Sequence, residues 1–552
     1  MSLVKYNPAA TGTSGLLESN VIRKGSMFID PSGPAKDNLY YNAMPATGGT
    51  GTYVVYQGIR SSLSIQKVDS DSALISLAQS ASGLSFANSG TALNWFAGQQ
   101  DRLVVNQEYP SIVMDGLVLN LDAGYVPSYP TTGTTWYDTS TSIANGALTN
   151  TPLYSALGYL DFDGTNQWAN FGNSLASLTG LSLECQVYFN QQVSEYNGVI
   201  SKTLDNSDGW EIRTTQYTAT GTNVEFRYKG DNAKAQAGTL VNSRWHHIVA
   251  TGDSGTQIIY VNGVPAGSSA AGVQPTPNAN NLSIGKLSYA NLFLKARISE
   301  ARIYNRALSA QEASQNYYGG PVVTSNLTFA MDAGNLVSYP ASGATAYSLT
   351  GSYVGVLNNG TAFDRGFGGV FDFDGTDDFI QIPYDSYWDS NVFGTATNFT
   401  ISCWYNPDLF MNWDTMIWKQ NPSVGGFYSS PEGAAIWSDV NGFVAVFASG
   451  VASNPAGSLV QIFYATTTLK WYHLCFTGDG TTLRFYVDGV QRGTALVASR
   501  TVPVTTSSNG PTFGRRDYMN GRLGPVHLYT RALTASEVNQ NYNATKWRFG
   551  LD

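Results

Sequence analysis

Two stretches in the C-terminal half of the chain concentrate residues that could do chemistry. The run Asp372-Phe-Asp374-Gly-Thr-Asp377-Asp378 crowds carboxylates onto one short segment. Grouped hard oxygen ligands suit calcium, and Asp374, Asp377 and Asp378 are the candidate metal ligands. The same residues have a turn reading, because an Asp ahead of a Gly hydrogen-bonds its own backbone. The second stretch, Pro383 to Phe393, gathers Tyr384, Asp385, Tyr387, Trp388 and Asp389, and a following segment adds Trp413 and Trp418. Aromatic faces beside carboxylates suit sugar rings, one stacking under CH groups and the other accepting from hydroxyls. Tyr384, Asp385, Tyr387, Trp388, Asp389 and Trp413 are therefore the candidate glycan-binding residues. The alternative is a loop that folds back and buries its rings.

Other reactive side chains give weaker signals. His246, His247, His473 and His527 show neither a nucleophile–base pairing nor metal-ligand spacing, so structural hydrogen bonds are expected of them. Cys185, Cys403 and Cys475 are an odd number, and the first two occupy comparable strand positions, LSLECQVYF and FTISCWYNP. Buried, unpaired thiols are expected there.

The elements that must position these residues occur twice. LVLNLDAGYVPSYP at Leu117 returns as LTFAMDAGNLVSYP at Leu327. In the same order LDFDGTNQWANF pairs with FDFDGTDDFIQI, RWHHIVATGDSGTQIIYVNGV with KWYHLCFTGDGTTLRFYVDGV, and ARISEARIYNRALSAQEASQNYY with GRLGPVHLYTRALTASEVNQNYN. A spacing of about 210 residues, growing to about 225, is far longer than a solenoid or propeller unit, so these are two whole domains. The extra length of the second falls in particular loops, the Tyr384 to Asp389 stretch among them.

The chain reads as domains 1–114, 115–320 and 324–552, with Tyr318 to Ser325 as the second linker. Within each repeat, short alternating strands are broken by turn residues, the pattern of a β-sandwich. Asn262-Gly263 and Asp488-Gly489 predict type I′ hairpins, because both tolerate positive φ. Ser309 with Glu312, and Thr534 with Glu537, have the spacing of a capping box and predict a closing helix in each repeat. Trp245 and Trp471 coincide under the repeat and are expected to pack the sandwich. The N-terminal segment reads as a small α+β domain. It has strands in VIRKGSMFI and TGTYVVYQG, a helix from Asp69 or Ser70 to Gly83, and a second short helix ending at Gly98.

Composition narrows the class. Charged residues are only 12%, aromatics reach 13% and glycine fills 57 positions, which is β-rich and turn-rich. Hydrophobic residues at 42% are enough for large cores. A net charge of −9 argues against nucleic acid or an anionic membrane as partner. The start, MSLVKYNPAATGTSG, has no signal-peptide core, and nowhere do about 18 apolar residues run together, so a soluble chain made in the cytoplasm is expected.

The ordered set LxLDAG…SYP…WYD, FDGT, WHHIVATGD…YVNGV and ARIYNRALSAxE resembles the laminin G-like, concanavalin A-like jellyroll modules that recur in tail and structural proteins of bacteriophages, those of cyanobacterial hosts especially. The segment ahead of the first repeat is similar to what precedes such modules in phage appendages. The resemblance implies two antiparallel jellyroll sandwiches in tandem after the α+β domain. It implies modules that bind glycans, proteins or rim calcium, on a virion protein such as a tail fibre, head fibre or decoration component. Its expected partners are host surface glycans and, through residues 1–114, other virion proteins, in a homo-oligomer. A passive capsid or tail component is the alternative. Family members that hydrolyse glycans carry Glu-x-Asp-x-x-Glu on one strand to hold acid and nucleophile about 5 Å apart. Neither repeat has that run, so no enzyme is expected, whether a glycanase or otherwise; a bacterial adhesin would need a signal and an anchor. Members also carry an acidic pair before RIYNRALS, where this chain has Ser299-Glu300 and Gly524-Pro525.

Overall fold

The computed structural model describes residues 112–551 apart from short stretches, the longest being 420–433, 449–457 and 498–508. In residues 1–111 it describes the backbone of five strands only, Leu3–Lys5, Met27–Ile29, Leu39–Tyr41, Tyr53–Gln57 and Ser64–Val68. Two of these fall in the stretches expected to be strands; both expected N-terminal helices lie outside the described residues.

The fold is mainly β. The first repeat is two eight-stranded antiparallel sheets packed face to face. One, the helix-side sheet, is centred on Leu181–Phe189, which pairs with Trp245–Gly252 on one flank and Lys295–Tyr304 on the other. The opposite sheet is centred on Gly209–Tyr217 between Gly198–Thr203 and Gly221–Tyr228. Alternation along Leu181–Phe189 sends Leu181, Leu183, Cys185, Val187 and Phe189 into the core between the sheets. Ser182, Glu184 and Gln186 face the other way, yet they too are buried, because the closing helix and the neighbouring repeat cover that face.

The second repeat copies this plan. Asn398–Pro407 sits between Tyr472–Asp479 and Asn520–Tyr529 in the helix-side sheet. Its opposite sheet divides into two four-stranded halves, joined by the bridge between Trp418 and Thr512.

Local chemistry closes each unit. Asn262 and Gly263 have φ of 51° and 76°, and Asp488 and Gly489 have 53° and 75°, as the type I′ turn requires. Both capping boxes form, on helices Ala310–Tyr318 and Ala535–Thr545. The Val113 amide donates to Asn316 and the Val323 amide to Asn541, tying the chain ahead of each repeat to that repeat's own helix. Each unit's packing thus begins a few residues ahead of the repeated sequence.

The repeats also touch each other. The outer face of the first helix-side sheet presents Tyr159 and Trp245, and the closing helix adds Tyr317; together they pack against Ala330, Val337 and Leu349 of the second repeat. The Tyr317 hydroxyl donates to the Leu349 carbonyl at 2.8 Å, Asn335 donates to the Tyr317 carbonyl at 2.7 Å, and the Arg244 guanidinium lies 3.9 Å from the Tyr347 ring centre. In the second repeat the corresponding face, with Val370, Trp404 and Trp471, is covered instead by Phe549 from the C-terminal turn Lys546–Phe549. Arg548 beside it holds Asp332 through two contacts, at 2.7 and 2.6 Å. Gly334 makes room for it, since a Cβ there would collide with the guanidinium.

Candidate functional site

The Tyr384 to Asp389 stretch folds as a helical turn, Ser386–Asn391, started by Asp385, whose carboxylate accepts from the Tyr387 amide at 2.9 Å. Helical spacing then turns Trp388 and Val392 inward together. Trp388 is 0% exposed and lies against Phe329, Tyr353 and Tyr387 in the core of the second sandwich. The expectation that Trp388 offers a stacking face is therefore corrected: an enclosed ring has none to give. Asp389 is likewise buried, with its carboxylate 2.6 Å from the equally buried Lys419 ammonium and accepting from the Tyr384 hydroxyl at 3.2 Å. Its charge is taken up inside the protein, so it too is corrected as a sugar ligand. Tyr387 is half-buried, and its hydroxyl accepts from Thr328 at 2.9 Å. Of this loop, Tyr384 and Asp385 remain exposed, and Trp413 lies outside the described residues. Sequence crowding was real; it marked a loop that folds back on its own sandwich.

The acidic loop is better placed. Ligand atoms of Asp374, Asp377 and Asp378 all lie within 4.8 Å of one another, with the first two residues exposed and the third buried. The turn reading holds for Asp374, whose carboxylate accepts from the Thr376 amide at 2.7 Å. Comparison of the repeats isolates what is different about Asp378. In the first repeat its counterpart Gln167 accepts from the Asp163 amide through Oε1 and donates through Nε2 to the Asn150 and Thr151 carbonyls. In the second, Asp378 Oδ2 accepts from the Asp374 amide at 3.1 Å, but Oδ1 is buried without a hydrogen-bond partner. That oxygen faces the same turn, 3.6 Å from where a Cβ on Gly360 would sit. An acceptor thus replaces a donor. Burial, then the nearby Asp374 and Asp377 carboxylates, push the Asp378 carboxyl upward, the direction a bound cation would reverse. The residues fit a cation.

Sequence reasoning missed two buried charge networks in the first repeat. On the opposite sheet, Glu211 pairs with Arg227 at 2.7 Å and Arg213 with Glu225 at 2.6 Å, all buried. On the helix-side sheet, Glu184 accepts from Arg302 at 2.5 Å, His247 at 3.1 Å and Asn316 at 2.5 Å. Burial would raise its pKa, but the Arg302 guanidinium, then the His247 hydrogen bond, hold it down at about 2. Alternation within each strand could have flagged a charge opposite the core face, but nothing local names its partner. Two histidines make the structural hydrogen bonds expected of them, His246 to the Val241 carbonyl and His247 to Glu184, while His473 and His527 are buried rings that burial pushes down to about 3 and about 4. All three cysteines are free, buried thiols.

Among solved structures, domain 4 of the extracellular arabinanase AbnA from Geobacillus stearothermophilus, in complex with arabinotriose, is similar at 18% identity. The match covers 39% of this chain and 98% of that one with a TM-score of 0.29. Trypanosoma rangeli sialidase in complex with sialic acid is similar at 12% identity, over 60% of each chain, with a TM-score of 0.29. The binding domain of Paraclostridial Mosquitocidal Protein 1 is similar at 10%, over 68% of this chain and 75% of that one, with a TM-score of 0.27. No curated protein sequence matches. The family model of the concanavalin A-like lectin/glucanases superfamily matches twice, over residues 163–314 and 374–539, one match within each sandwich. The chain therefore belongs to the concanavalin A-like lectin/glucanases superfamily, with two members of the family in tandem.

Proposed function

We propose that the protein is a glycan-binding component of a bacteriophage particle, a tail fibre, head fibre or decoration protein that adheres to host surface glycans without hydrolysing them. The observation that carries the binding reading is the pair of complete superfamily sandwiches, neither with the Glu-x-Asp-x-x-Glu strand of its hydrolytic relatives. The order of repeated motifs supports the phage reading, and the N-terminal segment, the unrepeated one, supports attachment to other virion proteins there. The test joins two measurements. Full-length protein is screened on an array of host-surface glycans, and purified particles carrying a C-terminal label are imaged. Glycan binding with label on the particle surface is expected. Label without binding would leave a passive structural protein, and particles without label would overturn the phage reading.

Calcium is the second ligand of this reading, held by Asp374, Asp377 and Asp378. A ligand that binds the folded state at about 100 times its Kd stabilises it by about 2.7 kcal/mol, so millimolar calcium should raise the melting temperature of the second sandwich by several degrees. The variant Asp377→Asn with Asp378→Gln copies the first repeat's turn and should melt normally but without any calcium response. An unchanged melt of the unaltered protein in calcium would leave the loop a turn only.

A further inference from the structure

A cavity of about 410 Å³ lies between the two repeats, within the range of small-ligand sites. One wall is the outer face of the first helix-side sheet. There Asp122 stands directly opposite Glu300 on the neighbouring strand, and Glu300 directly opposite Gln186 on the next, so the three side chains share a face. Residues so paired have Cβ atoms about 5 Å apart. The other wall comes from the second repeat and the C-terminal turn, and the partly exposed rings of Tyr125 and Trp547 line the cleft.

The repeats differ here in an informative way. Asp332, the counterpart of Asp122, is neutralised by Arg548, and Pro525 replaces Glu300. In the first repeat no tail covers the aspartate, which keeps a second carboxylate at its side. Glu300 is oriented by Arg302, at 2.8 Å, and its side chain is 22% exposed. Burial, then Glu300, push the Asp122 carboxyl up to about 7. Near pH 7 Asp122 is therefore partly protonated and can donate as well as accept.

We infer that this cleft between the repeats is the saccharide site, and that it takes a neutral sugar unit whose adjacent hydroxyls bridge Asp122, Glu300 and Gln186 beside the Tyr125 ring. The inference rests on the glycan-binding reading and assigns it a place made jointly by both repeats. The carboxylates lining the cleft, Asp122, Glu300 and Asp332, are balanced by Arg302, Arg365 and Arg548, so a charged sugar gains nothing there, while hydroxyl donors relieve the crowding of the Asp122 and Glu300 lone pairs.

The full chain would be screened on neutral and acidic oligosaccharides and each hit titrated by calorimetry. The variant Asp122→Asn with Glu300→Gln keeps the Asp122 oxygen that accepts from the Gly124 amide. It should bind a neutral hit at least tenfold more weakly, and Tyr125→Ala should weaken it too, which keeps the test decisive should the double variant fold poorly. Neutral binding unchanged in both variants, or hits confined to acidic sugars, would overturn this site while the glycan reading stands. No binding by the unaltered chain would overturn both.

Discussion

A chain ended at Thr545 should melt about 10–20 °C below the full-length protein, the loss confined to the second sandwich. The missing residues include Phe549, which is 0% exposed and packs with ring centres 4.5 Å from Trp404 and 4.3 Å from Trp471. Emptying one buried phenylalanine site costs about 3–5 kcal/mol. Arg548 leaves as well, and Asp332, only 8% exposed, loses the partner of its charge. A combined loss of about 5 kcal/mol or more corresponds, in a domain of this size, to a shift of the stated order. Newly exposed Trp404 and Trp471 should also bind a hydrophobic dye. Calorimetry of the shortened chain decides it: a melt within a degree or two of full length would mean that the turn only rests on the surface.

Replacing Glu184 with Ala should destabilise the first sandwich by about 3 kcal/mol, because the buried Arg302 loses the nearer of its two carboxylates and keeps only Glu300. The Asn316 amide and the His247 ring lose an acceptor in the same step. The second repeat shows how the network is dispensed with: Ser402, His527, His473 and Asn541 stand where the first has Glu184, Arg302, His247 and Asn316. Glu184→Ser combined with Arg302→His should therefore recover most of the loss, since removing both partners of a buried pair costs far less than removing one. The pH dependence has a definite sign. The folded Glu184 pKa, about 2, lies below the ordinary carboxylate value of 4.5. Its contribution is thus complete above about pH 4.5 and fades as pH falls from there toward 2. Denaturant melts of single and double variants at pH 7 and pH 3 would test this; a double variant no better than the single would show that Glu184 does not act through Arg302.

The parts of this fold that were legible in the sequence are those set by neighbours along the chain. Asn262-Gly263 and Asp488-Gly489 turn as their chemistry demands, and Ser309 and Thr534 cap their helices with the glutamates three residues on. Cys185 and Cys403 sit in the strand positions their alternation gave them. Trp388 was misread for a related reason: composition shows that rings are crowded, but the side of a single helical turn that faces the core depends on Phe329 and Tyr353, each more than thirty positions away. Distance hides the rest. Arg302 reaches Glu184 across 118 positions and Asn316 reaches it across 132. The cleft needs both repeats and the tail before it exists at all.

The contact between the repeats joins two different faces of one architecture, the Trp245 side of the first and the Val337 to Leu349 side of the second. Such a heterologous contact leaves a matching face on each partner; repeated between separate chains it builds rings where the rotation closes and open fibres where it does not. Here the second sandwich could in principle receive a third on its own Trp471 face, and that one a fourth. Phe549 and Arg548 occupy that position. As long as that turn stays docked, the face is closed to any further sandwich, and the head-to-tail contact between the repeats has no free counterpart there.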